Sequence, residues 1–178
     1  SVDPNFSVSL NAADAVNPSG YDLTIGFSPA ATDGFDAGFD SYAPPAPPPP
    51  AFDAALTWGG DRYYTQILNG SGDDLVEHEF GIALAYPSDN LINLTWDNTG
   101  WSDMMSSCVL QDAFGGLLGI DIDMLSETSL TLDNSAFSSL LLKVTPLGVE
   151  YFMPVARFTS STEFLTATFS DASTVGSS

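Results

Sequence analysis

Tyr21-Asp22-Leu23-Thr24-Ile25-Gly26-Phe27 decides the fold. Large apolar residues hold every second position, and polar or small ones stand between them. Successive side chains of a strand point to opposite faces, so this alternation buries one face and wets the other. The same rule runs outward in both directions. Phe6, Val8 and Leu10 alternate with Ser7 and Ser9. Phe52, Ala54, Leu56 and Trp58 follow it, as do Val76, Phe80, Ile82 and Leu84, then Ile92, Leu94 and Trp96. Leu118, Ile120 and Ile122 come next, then Leu130 and Leu132, Leu140, Leu142 and Val144, and beyond them Val149, Tyr151, Met153 and Val155, then Leu165, Ala167 and Phe169. Turn signals separate the runs: Asn17-Pro18-Ser19-Gly20, Gly59-Gly60-Asp61, Asn69-Gly70-Ser71-Gly72-Asp73, Pro87-Ser88-Asp89-Asn90 and Asp97-Asn98-Thr99-Gly100. No stretch keeps a helical spacing over a dozen residues. The expectation is an all-β chain of about nine to eleven short strands, folded as a single antiparallel β-sandwich of the Ig-like or jelly-roll-like kind.

The 178 residues make one ordinary domain with a core of its own. Hydrophobic residues form 44% of the chain, enough to argue against global disorder. The longest apolar runs, Gly116-Leu117-Leu118-Gly119-Ile120 and Leu140-Leu141-Leu142, are too short to cross a bilayer, so no membrane insertion is expected. Ser1 opens on no basic and apolar targeting segment, which suggests a mature secreted chain. Three basic residues face 23 acidic ones, for a formal net charge of −20. With only Arg62, Lys143 and Arg157 to neutralise phosphate, nucleic acid is excluded as a partner. Eighteen of the acids are Asp and five are Glu, and Asp belongs in turns and at strand ends. Cys108 is the only cysteine, so no intrachain disulfide forms. It reads as a small buried hydrophobe.

Two irregular stretches interrupt the pattern. Residues 11–20 link the first strand to the rest. Residues 28–50 carry Gly34-Phe35-Asp36-Ala37-Gly38-Phe39-Asp40 and then Pro44-Pro45-Ala46-Pro47-Pro48-Pro49-Pro50. Consecutive prolines fix φ and remove amide donors, so this run is expected outside the sheet as a stiff polyproline strap. The glycine–aspartate repeat, the proline run and Phe52-Asp53-Ala54-Ala55-Leu56 resemble a β-sandwich domain of large bacterial secreted and surface proteins, often found just ahead of type IX secretion sorting signals. Ile92-Asn93-Leu94-Thr95-Trp96-Asp97, Val109-Leu110-Gln111-Asp112, Ile120-Asp121-Ile122-Asp123-Met124 and Ser129-Leu130-Thr131-Leu132 fit the same pattern. The likeness covers residues 21–146. It implies an extracellular or cell-surface setting and no catalytic residues. The division then reads as a strand and linker at 1–20, the β-sandwich at 21–146, and further strands with a polar tail at 147–178.

Asp33, Asp36 and Asp40, spaced by Gly34 and Gly38, offer three carboxylates to a calcium ion. The competing reading is a loop whose aspartates bond their own backbone while Phe35 and Phe39 plug the core. Asp121 and Asp123 are a second, weaker cation pair, and Asp73-Asp74 reads as solvated. His78, the only histidine, shares the inward parity of Phe80 and cannot build a zinc site with Cys108 alone. No nucleophile elbow, phosphate loop or metal-ligand spacing appears, so enzymatic activity is not expected. Trp58 and Trp96 fall on the buried parity. Trp101, in a turn, reads as the most exposed aromatic and, with Tyr63 and Tyr64, would form a sugar-stacking platform.

The termini point to assembly. Phe6, Val8 and Leu10 form a strand followed by ten residues that can reach about 33 Å. Such a strand can complete a neighbour's sheet by main-chain pairing, and a head-to-tail contact of this type propagates. Phe164 and Phe169 bound a second candidate strand for that role. The function expected is that of a non-catalytic extracellular structural protein, a self-assembling subunit of a surface filament or layer joined by strand exchange and helped by calcium. The alternative is a carbohydrate-binding or adhesion module for surface polysaccharide.

Overall fold

The computed structural model describes residues 3–148. Eleven strands follow one another: β1 Phe6–Ala13, β2 Tyr21–Ser28, β3 Ser41–Tyr42, β4 Asp53–Trp58, β5 Asp61–Asn69, β6 His78–Ala85, β7 Ile92–Trp96, β8 Met105–Asp112, β9 Asp121–Asp123, β10 Ser129–Leu132 and β11 Ser139–Pro146. Two short 3-10 turns, Gly72–Asp74 and Trp101–Asp103, are the only helical segments among the described residues. No helix there is long and apolar enough to cross a membrane.

The all-β expectation holds, and the architecture differs from two separate antiparallel layers. All strands belong to one mixed sheet curled into a half-barrel, in the order β10-β7-β1-β2-β5-β4-β6-β11-β8-β9, with β3 beside β5. β2 and β5 run parallel, Thr24 facing Thr65 and Phe27 facing Leu68. β5 is the joint. Its first residues pair with β4 and its last with β2, so it ties the two halves into one sheet. Alternation along strands could not reveal this, because it fixes which face is buried and not which strands pair.

The alternating positions meet in one core. Val8, Leu10, Leu23, Ile25 and Phe27 from one half join Phe80, Ile82, Leu110, Leu140 and Leu142 from the other. Phe27 packs edge-on against Phe80, ring centroids 6.3 Å apart. Tyr21 lies at 5.8 Å from Tyr64 in a stacked pair. Cys108 is buried beside Met124, and burial pushes its thiol up to about 12, so it is an inert core group.

Three placements correct the sequence reading. β1 is an interior strand, paired with β2 from Phe6–Phe27 to Ala12–Tyr21 and with β7 from Leu10–Trp96 to Ala13–Asn93. Phe6, Val8 and Leu10 therefore pack in their own molecule, and the connector shrinks to a turn over 14–20. That turn needs Gly20, whose φ is +60° and whose Cβ would stand 2.2 Å from the Ala12 carbonyl oxygen. Val76 precedes β6 and is exposed, because the Ser71-capped turn at Gly72–Asp74 delays the strand to His78. Leu118 is exposed too, since β9 starts only at Asp121. Phe164 and Phe169 lie outside the described residues, as do the alternations from Val149 onward.

Both sheet edges are short. β9 has three residues, Asp121-Ile122-Asp123, and β10 has four, between Glu127 and Asp133. Short edges flanked by charge resist pairing with another chain. Residues 124–128 run from one edge to the other. Trp96 Nε1 donates to the Met124 and Glu127 carbonyls, at 3.1 and 2.6 Å, and holds that connection.

Candidate functional site

The proposed calcium loop uses its carboxylates on backbone N–H groups of the loop and of β5. Asp33 Oδ1 accepts from the Asn69 N–H at 3.1 Å. Asp36 accepts from the Thr32 N–H at 2.6 Å and from the Thr32 hydroxyl at 3.0 Å. Asp40 is buried and joins two elements: Oδ1 takes the Ile67 N–H at 2.7 Å, and Oδ2 takes the Asp36 N–H at 2.8 Å. Among the described residues, no three acidic, histidine or cysteine side chains stand close enough to share a metal ion. Asp121 accepts from Gln111 Nε2 across β8–β9, while Asp123 accepts from the Leu125 N–H and the Ser126 hydroxyl in the turn after β9, so the two carboxylates serve separate partners.

Phe35 and Phe39 do not plug the core. Phe35 is 41% exposed and Tyr42 50%. Their rings stack at 4.2 Å and 5° over Tyr63, itself 5.0 Å from Tyr42. The sugar platform read from sequence is thus not assembled. Tyr63 is buried beneath the stack, Tyr64 packs on Tyr21, and Trp101 is buried in the core. Trp101 turns inward because Gly100, at φ +80°, starts a 3-10 turn that folds the indole back over the sheet. Trp58 and Trp96 keep the buried parity expected of them, Trp58 only in part.

His78 is half buried against Phe27, and its Nε2 stands 2.9 Å from the Asp74 carbonyl oxygen. Arg62 bridges to buried Asp53 at 2.6 Å and also donates from Nε to the Pro44 carbonyl at 3.0 Å. The guanidinium therefore joins β4 to the start of the proline run. Residues 43–48 form no strand and are largely exposed.

The structure brings forward a residue that the sequence reading passed over. Asp112 ends β8, is fully buried, and accepts four backbone N–H groups. Oδ1 takes those of Phe114 at 2.9 Å and Gly116 at 3.1 Å; Oδ2 takes those of Leu118 at 2.9 Å and Ile120 at 3.2 Å. Burial by itself pushes the pKa of this carboxyl up, but the four N–H bonds outweigh it and hold the group below the usual carboxylate range. Gly115, Gly116 and Gly119 take positive φ and let the backbone circle the carboxylate. The side chains are thereby thrown outward: Phe114 is 64% exposed, Leu117 86% and Leu118 58%. The signal was present as Asp112-Ala113-Phe114-Gly115-Gly116-Leu117-Leu118-Gly119, but its apolar residues read as strand because Leu118, Ile120 and Ile122 alternate.

This loop shares one end of the sheet with four others. Asp112 faces Leu140 across β8–β11, Ser139 faces Ala83 across β11–β6, and Ala85 faces Asp53 across β6–β4. The segments 113–120, 133–138, 86–91 and 50–52 thus leave the sheet on the same side. An open cleft of about 500 Å³ lies at that end between residues 50–52, residues 87–89 and the turn of β1 and β2. Val16, Tyr21, Pro50, Ala51, Phe52 and Pro87 supply its apolar wall. Asp14 sits at its margin with Oδ1 held by the Asn17 N–H at 2.7 Å. Val16 projects beside the cleft, 90% exposed.

The chain matches no family model, no curated protein and no solved structure.

Proposed function

We propose that this chain is a non-catalytic extracellular structural module that works by assembling with copies of itself. One observation carries the reading: three large apolar side chains are presented to solvent on a loop that a buried carboxylate holds in shape. Exposed apolar side chains gathered in this way mark a contact surface. The groups able to do chemistry support it from the other side. Cys108 is buried with its pKa pushed up, His78 is packed on Phe27, and the aspartates at turns accept backbone N–H groups. The extracellular setting rests on the resemblance of the glycine–aspartate and proline stretch.

In this reading the curled sheet acts as a sandwich, its halves facing across one core, and the proline run acts as an external strap clipped by Arg62. The joint is a surface contact. Exchange of β1 would first require opening both of its ladders. Calcium then acts by relieving the repulsion of a −20 surface more than by filling a built site. Sedimentation of the purified full chain over a range of concentrations tests the reading. A mass that rises with concentration is expected; a monomer throughout sinks it.

A second reading has its own observation, the exposed Phe35–Tyr42 stack. As a carbohydrate-binding surface it replaces the platform of Trp101, Tyr63 and Tyr64. Retention on insoluble polysaccharide, lost in Tyr42→Ala, would favour it.

A further inference from the structure

We propose that two copies of this chain meet end to end, each seating the loop 113–119 in the other's cleft between residues 14–17 and 50–52. The inference rests on the assembly reading above and names its contact. Plug and socket occur on the same molecule and at the same end of the sheet. The plug is three exposed side chains, Phe114, Leu117 and Leu118; the socket is an open cleft walled by Val16, Tyr21, Phe52 and three neighbours. When both halves of a contact lie side by side on one surface, a two-fold axis between them satisfies both at once. The result is a closed pair with two identical contacts, in which residue 117 of each copy reaches the cleft of the other.

Charge gives a basic partner no advantage at this loop. The eight residues from Ala113 to Ile120 carry no charge in a chain of net −20. A basic surface gains nothing electrostatic from that plug, whereas two acidic molecules approach with least repulsion where one of them presents none. Asp14 and Asp89 at the cleft margin already bond the Asn17 and Leu91 N–H groups, at 2.7 and 3.1 Å. The loop also arrives already ordered. Asp112 fixes four of its N–H groups before any contact forms, so little conformational freedom remains to be lost.

The contact is apolar and the long-range force repulsive, so salt must strengthen the pair. Sedimentation velocity of the full chain at low and at high sodium chloride reads this directly. The expected result is a monomer–dimer equilibrium that stops at two and shifts toward dimer as salt rises. Leu117→Asp and Val16→Asp alter side chains that are almost fully exposed, so the fold persists and circular dichroism should match the parent. Each variant alone should be monomeric. Mixed, they should regain a dimer at reduced affinity. In the mixed pair one contact is intact: the loop of Val16→Asp in the cleft of Leu117→Asp. Failure of the mixture to recover, or dimers of either variant as strong as the parent's, overturns the plug and socket while leaving self-assembly standing. Open polymers lost in both variants overturn the closed pair. A parent chain that stays monomeric at every salt and concentration overturns the assembly reading as well.

Discussion

Two loops of this molecule are built from glycine, aspartate and large apolar residues, and they differ in what those residues face. Loop 32–42 holds three aspartates, each with its own backbone donors, and turns Phe35 onto Tyr42 and Tyr63. Loop 113–120 has one aspartate, Asp112, which gathers four donors and leaves Phe114, Leu117 and Leu118 facing water. The first loop finds partners for its aromatic rings inside the molecule. The second is equally ordered but leaves its three apolar side chains mostly in solvent, Phe114 and Leu118 bordering a groove beside residues 136–139. The proposed assembly rests on that contrast.

The largest expected effect is at the single anchor. Asp112→Ala strands four N–H groups, and the loop must open to let water reach them. The melting temperature should fall by many degrees, with fast amide exchange at Phe114, Gly116, Leu118 and Ile120. Asp112→Asn, which keeps one acceptor oxygen, should fall between parent and Ala. Acid should act in the same direction. The carboxyl titrates lower in the folded chain than in the unfolded one, so its contribution is complete above the ordinary value of about 3.9 and is lost as pH falls through the lower folded value. Acid unfolding of Asp112→Ala should therefore be less steep than that of the parent. Equal slopes would mean that this carboxylate is not the anchor.

In the other loop the anchors are divided, so a single loss should cost less. Asp40→Ala removes the acceptor of the buried Ile67 N–H and of the Asp36 N–H, while Asp33 and Asp36 keep theirs. A cost of about 1–3 kcal/mol is expected, the range for one buried group left unsatisfied. Chemical denaturation of the two alanine variants side by side checks the order. If Asp40→Ala is the more damaging, the contrast between one shared anchor and three separate ones is wrong.

The sequence made the burial pattern legible and left the pairing hidden. Tyr21 to Phe27 alternates because one face of β2 meets the core, and that is visible without coordinates. Nothing in the alternation says that β5 runs parallel to β2, or that β1 lies between β2 and β7. Those pairings are set by contacts distant in the chain. The same limit hid the exposed apolar loop. Leu118, Ile120 and Ile122 keep a strand's period, yet only Ile120 of the three is fully buried, because Asp112 curls the backbone before β9 can begin. The proline run was easier to place outside the sheet, since residues without amide donors cannot join a ladder. Trp101 misled for a local reason: a turn residue is usually exposed, but here the turn aims the indole inward.

Stability should also separate the exposed side chains of the two loops. Tyr42→Ala removes the middle ring of the stack with Phe35 and Tyr63 and should cost about 0.5–1.5 kcal/mol beyond lost burial. Leu117→Ser touches nothing inside the molecule and should stay within about 0.5 kcal/mol of the parent. Denaturation at a concentration low enough to keep the chain monomeric gives both values. A costly Leu117→Ser would mean that loop 113–120 packs on its own molecule after all.

The smallest expected effect concerns calcium, and it tests whether loop 32–42 is closed on itself. Its three carboxylates already accept N–H groups from Asn69, Thr32, Asp36 and Ile67, and ligating an ion would mean giving those bonds up. A native-state site filled at a hundred times its dissociation constant would add about 2.7 kcal/mol. Charge relief on a −20 surface has no such selectivity. Melting with calcium, with magnesium and with chelator, all at one ionic strength, should give a small rise that is similar for the two cations. A rise specific to calcium and lost in Asp36→Asn would show that the aspartates leave their backbone donors for an ion. Loop 32–42 would then be the one poised to bind, and the contrast with loop 113–120 would reverse.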